Sequence, residues 1–268
     1  MQKIFTCILV VLFVLISMPN VDCYGAGKTA LYKITSAPRL SSAEVIGDIP
    51  LPAGFERLPV VAHSFAGWLR QIALRKDNTV YLYNGQPKAN QQLHYAVLDI
   101  STGTKDLQQC ADAVMRLKAE YAYSNKNYAA ISFADGNKSS LSFTKYAASQ
   151  NGCFSHECLL HFLEIVFARC GTYTVEGMTK PIELSDMQAG DVLIKAGSPG
   201  HTMMVADMAV NKKTGQKIYL LLQGYMPAQD MHIVINQAKE HLSPWYALTS
   251  DETIRTPGWV FNKRQLRR

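Results

Sequence analysis

The hydrophobic pattern of this 268-residue chain changes character in its last third, and that change restricts what it can fold into. Between Trp68 and Cys170 apolar residues recur mainly at helical spacing, whereas from Asp191 onward they come in short β-rich runs. The runs are Asp191 to Lys195, Thr202 to Val210, Lys217 to Gln223 and Met231 to Ile235, with Asn211 to Gly215 as a hairpin connection. Helices followed by consecutive strands on short connections predict an α+β fold, with a helical N-terminal half and a C-terminal antiparallel β-sheet.

Within the first part, Trp68 to Leu74 reads as a helix after His63 and Ser64. Thr79 to Tyr83, His94 to Ile100 and Ala130 to Ala134 read as short strands, the first running into the Asn84-Gly85 turn signal. Leu107, Cys110, Ala111, Val114, Leu117 and Tyr121 lie on one helical stripe capped by Thr104 or Asp106, which assigns Cys110 to the core. A weaker helical pattern covers Leu141 to Ala148. The strongest runs from the cap Ser155 to Cys170, with Leu159, Phe162, Leu163, Val166 and Phe167 on one face and Gly171 as its stop.

The amino terminus places the chain in a compartment. Met1, Gln2 and Lys3 precede an apolar run from Ile4 to Met18, followed by Pro19, Asn20 and Asp22. A charged start and a run shorter than the roughly 20 residues of a membrane span read as a signal peptide over residues 1–23. The reading is an exported protein, periplasmic or associated with the outer membrane, with a lipid anchor on Cys23 as the alternative to plain cleavage. Residues 24–268 form a single domain on this reading, or two subdomains divided near residue 150. No later segment is long enough to be a transmembrane helix, and no nucleic-acid motif is present.

The formal net charge is +6, and Lys263, Arg264, Arg267 and Arg268 gather at the carboxyl end. They read as a solvated tail or as a contact to anionic lipid or wall polymer. Cys110, Cys153, Cys158 and Cys170 remain after the leader, and their spacing leaves the pairing open. It also fits no common zinc pattern. His156 and His161 lie five residues apart, which turns them about 140° from each other on a helix, so they do not face one metal ion. No metal or cofactor is expected. The polar residues Asn90, Gln91, Gln92, Gln108, Gln109 and Asp112 read as helix caps and loop ties, or as a binding surface.

Several segments carry a resemblance. Ser64 to Arg70, Asp106 to Asp112 running on to Glu120 and Tyr121, Ser198 to His201, Tyr225 to Asp230, Ser243 to Tyr246 and Thr256 to Trp259 resemble the domain-of-unknown-function family 4846 in order and spacing. Met187 to Ile194, followed by Gly200, His201 and the strand from Thr202, resembles the later half of papain-like wall hydrolases of the NlpC/P60 type. That second resemblance implies a papain-like core, a nucleophile in the first turn of an upstream helix, and a histidine on a following strand.

Cys158 stands three residues after Ser155 and meets the helix condition, which lowers a thiol's pKa. The expected constellation is Cys158 as nucleophile, His201 as general base and then acid, and Gln223, at the end of the next strand, as orienter of the imidazole. Trp68, Tyr225, Gln229, Asp230 and Trp245 are the candidates for binding substrate. The chemistry would be hydrolysis of an amide in peptidoglycan peptides. Two other classes compete: a non-catalytic periplasmic protein binding a wall fragment or glycan in the same cleft, and a structural partner in an envelope assembly.

Overall fold

The computed structural model describes residues 43–268. Residues 1–23, read above as a signal peptide, and with them Cys23, lie outside the described residues. In chain order the elements are β1 (Phe55–Arg57), α1 (Phe65–Arg70), β2 (His94–Val97), α2 (Cys110–Ser124), β3 (Ser132–Ala134), β4 (Ser140–Ser142), α3 (Phe143–Ser149), α4 (His156–Arg169) and α5 (Thr172–Gly177). The sheet-forming part follows: β5 (Val192–Lys195), β6 (His201–Asn211), β7 (Lys217–Gln223), β8 (His232–Val234), β9 (Tyr246–Ala247), β10 (Thr253–Thr256), β11 (Trp259–Asn262) and β12 (Leu266–Arg267).

The main sheet runs β12-β5-β6-β7-β8-β2, with β1 added to β6 and β9 to β7, and its pairs are antiparallel. The α+β class and the antiparallel sheet therefore agree with the hydrophobic pattern. The sheet is not wholly C-terminal, because β1 and β2 come from before residue 150 and pair with strands far along the chain. Such pairing depends on which strand edges are left open, a property that no local window contains.

Both faces of β6 are buried, since helices cover one and the β10–β11 hairpin with the chain end covers the other. Met204, Ala206 and Ala209 join the larger core with α2 and α4, while Met203, Val205 and Met208 join the smaller one with Phe261 and Leu266. Helix α4 buries Leu159, Phe162, Leu163 and Val166 as its stripe requires, each worth about 1.5–3 kcal/mol relative to exposure. Ser155 is its cap, its Oγ accepting from the amide of Cys158 at 3.2 Å.

Asp207 sits at the bulge in β6 with no exposed surface. Arg57 of β1 donates to its Oδ2 at 2.8 Å and Arg70 of α1 to its Oδ1 at 2.7 Å. A buried carboxylate persists only when paired in this way, so one acid ties two early elements to the central strand.

Thr79 to Tyr83 forms isolated bridges and no ladder, because the amide and carbonyl of Val80 are both taken by the side chain of Gln91. The basic carboxyl end is not a frayed tail. Leu266 and Arg267 pair with β5, Arg267 donates to the carbonyls of Glu176 and Thr179, and Arg268 donates to Asp191 at 2.8 Å. Among the described residues no helix is long and apolar enough to cross a membrane.

Candidate active site

A cleft of about 660 Å³ opens where the first turn of α2 meets the start of β6 and the end of β7. Cys110, Asp112, Cys170, His201, Tyr225 and Trp259 are among its walls. Cys110 is the first residue of the 15-residue helix α2. Asp112, two residues on, accepts the amide of Gln109 at 3.0 Å and closes the N-terminus. The Ala111 and Ala113 side chains are small enough to bring this turn close to the sheet.

Two glycines make the approach close. A Cβ on Gly224, just past β7, would lie 2.8 Å from the Gln109 carbonyl oxygen and 3.1 Å from the Ala113 Cβ. One on Gly200, just before β6, would lie 2.4 Å from the Gly197 carbonyl oxygen. Glycine is therefore needed on both chain segments that bring β6 and β7 to the cleft.

His201 opens β6 and is 2 % exposed. Tyr225 crosses its ring edge-on at 5.0 Å, Trp259 is tilted against it at 5.3 Å, and Phe261 stacks at 5.9 Å. This apolar wall pushes the imidazole pKa down to about 4, against the partial support of Gln223, so the ring is neutral near pH 7. His201 Nε2 lies 2.8 Å from Gln223 Oε1. Gln223 Nε2 in turn lies 3.1 Å from Nε2 of His232 on β8. The strand register explains the meeting: Gln223 is directly opposite His232, and His201 lies diagonally across from Gln223 on β6.

Burial raises the Cys110 thiol pKa above its ordinary value. The backbone amides of Thr202, Ala111 and Cys110 itself pull it back down, while Asp112 raises it. Near pH 7 the thiol and the imidazole are thus both neutral. Burial also holds the Asp112 carboxyl at about 7.

His201, Gln223 and Tyr225 come together as the sequence reading expects, but Cys158 does not join them. Cys158 is bonded to Cys153 at the start of α4, and neither lines this cleft. Both Cys110 and Cys158 stand in the first turn of a helix, and only the packing of α2 against β6 and β7 separates them. Cys110 is a half-buried free thiol rather than a core residue. Its sequence signal was the capping Gln109 and Asp112 around a cysteine with alanines behind it.

The other expected binding residues are elsewhere. Trp68 lines a separate cleft with Arg116, Glu120 and His156. Trp245 is 1 % exposed and donates its indole N–H to the carbonyl of Pro50, so it offers no platform. Gln229 and Asp230 are buried, and the Asp230 carboxylate accepts from Nη1 and Nη2 of Arg75 at 2.7 and 2.9 Å. Among the described residues no group of three His, Cys, Asp or Glu side chains is placed to hold a metal ion.

Comparison with known proteins gives one match. Residues 45–268 match the model of the family described as Domain of unknown function (4846), and the chain belongs to that family. No curated protein and no solved structure matches it.

Proposed function

We propose that this family member is a cysteine hydrolase that cleaves an amide through Cys110, His201 and Gln223, on a core resembling the papain-like wall hydrolases. The observation that carries the reading is the cleft shared by a helix-terminal thiol and a buried imidazole whose Nε2 meets a side-chain amide. This is the nucleophile, base and orienter of covalent acyl transfer. The leader-like amino terminus supports an envelope substrate, and amides of peptidoglycan peptides are the class that the wall-hydrolase resemblance suggests.

The chemistry follows from the tautomer. With Nε2–H donated to Gln223, the lone pair of His201 is on Nδ1, which takes the Sγ proton as sulfur adds to the carbonyl carbon. The backbone N–H of Cys110, at the positive end of α2, is available to the oxyanion. Collapse expels the amine with the proton returned from Nδ1 and leaves a thioester on Cys110. Water, deprotonated by the same Nδ1, releases the acid and regenerates the thiol.

Two measurements test this. Muropeptides incubated with the full chain should gain the mass of one water on cleavage, and Cys110→Ala should abolish it. Iodoacetamide should label Cys110 several-fold faster in the wild type than in His201→Ala near pH 7. A Cys110 that labels equally in both, with no muropeptide cleaved, would refute the hydrolase and favour the non-catalytic binding protein, which the raised thiol pKa would then explain.

A further inference from the structure

We infer that His232, two strands away from His201 in the sheet, sets the tautomer of His201 and so decides which ring nitrogen is the base. The inference rests on the catalytic reading of His201 only for its consequence, since the hydrogen-bond chain stands on geometry. It starts at a backbone carbonyl. His232 Nδ1 lies 2.8 Å from the carbonyl oxygen of Asp230, which has no hydrogen to give, so Nδ1 carries the proton. Burial with no exposed surface keeps the ring neutral, and its Nε2 is therefore a bare acceptor.

The next link has one solution. A bare Nε2 at 3.1 Å demands the amide nitrogen of Gln223, which turns the Gln223 oxygen toward His201. That oxygen accepts only, so His201 must donate from Nε2 across 2.8 Å, leaving its Nδ1 lone pair free. Each polar direction is dictated by the one before it. Reversing any link would set two donors or two acceptors face to face inside the protein, where water cannot relieve them.

The origin of the chain is itself held. The Asp230 side chain accepts from Arg75 twice, from the Tyr81 amide at 2.9 Å and from the Thr102 hydroxyl at 3.2 Å. The adjoining ring, His94, lies edge-on to His232 at 5.7 Å and donates from Nε2 to the Asn78 carbonyl, so it does not compete for Gln223. His232 is thus a positioning residue, acting through Gln223 without touching substrate.

The test reads protons rather than turnover. Long-range 1H–15N NMR of the 15N-labelled full chain assigns the protonated nitrogen of each histidine. In the wild type, His201 should be protonated at Nε2 and His232 at Nδ1. In His232→Leu the Gln223 amide is released, and the His201 nitrogens should move toward the averaged shifts of an exchanging tautomer pair. His232→Gln, which restores an acceptor near the lost Nε2, should recover the wild-type pattern. Iodoacetamide labelling of Cys110 should fall about tenfold or more in His232→Leu and recover in His232→Gln.

Should His232→Leu fail to fold, Gln223→Glu makes an independent test. As a carboxylate its two oxygens only accept, so His201 should keep Nε2–H while His232, whose Nδ1 still donates to the Asp230 carbonyl, becomes doubly protonated. A wild-type His201 protonated at Nδ1, or His201 shifts unchanged in His232→Leu, overturns the inference. Muropeptide cleavage has no part in this readout, so failure of the relay and failure of the hydrolase are seen separately.

Discussion

Gly224→Ala tests whether the sheet and α2 meet as closely as the cleft requires. The new Cβ would stand 2.8 Å from the Gln109 carbonyl oxygen and 3.1 Å from the Ala113 Cβ, inside ordinary contact by roughly half an ångström. The carbonyl cannot simply turn away, because it accepts the Ala113 amide at 3.0 Å as the first bond of α2. The first turn of the helix must therefore back off from β7, carrying Cys110 with it. Overpacking of this kind costs about 1–3 kcal/mol. A displacement of about half an ångström at a nucleophile lowers the rate on the order of tenfold, given that about 1 Å can cost a hundredfold. Urea unfolding should show a lower midpoint at unchanged slope, and iodoacetamide should label Cys110 more slowly. Gly136→Ala is the control, since nothing lies within 4 Å of its Cβ position, and it should stay within about 0.5 kcal/mol of wild type. A Gly224→Ala protein indistinguishable from that control would refute the packing argument.

Further outcomes follow from the site and from the disulfide outside it. On the proposed mechanism the base must be neutral, and burial places His201 near 4, so hydrolysis should persist as pH falls and fail only near pH 4; an acid limb near 6.5 in the pH–rate profile would contradict this. The depressed His201 pKa also means that the unfolded chain takes up its proton first, so this residue's share of stability is complete above about 6.5 and is lost as pH falls from there toward 4. Asp112 has the opposite sign. Its folded pKa of about 7 exceeds the unfolded 3.8, so stability held by the neutral carboxyl is lost as pH rises between those values. Asp112→Asn, which keeps an acceptor for the Gln109 amide, should gain on wild type by up to about 4 kcal/mol from pH 4 to pH 8, read from paired urea titrations. Finally, Cys158→Ser removes a cross-link of sequence separation 5 and should cost about 2 kcal/mol of stability by urea unfolding, while Cys110 labelling remains at the wild-type rate.

Local pattern and tertiary contact divided the work in this protein along a physical line. Short β-rich apolar runs marked β5 to β8 within a residue or two, and the Ser155 cap and apolar stripe marked α4, because both signals lie within one element. The meeting of His201 with Gln223 was legible too, since a hairpin sets the register of its own two strands. Which cysteine faces them was not. Cys110 and Cys158 both begin helices, and the choice fell to glycines at 200 and 224 and alanines at 111 and 113, whose smallness has meaning only once the partner backbone is known. Trp245, Gln229 and Asp230 had the chemistry of binding residues but were spent on bonds to Pro50, Arg75 and the surrounding core. A side chain's type states what it can bond to; only the fold decides whether protein or substrate gets there first.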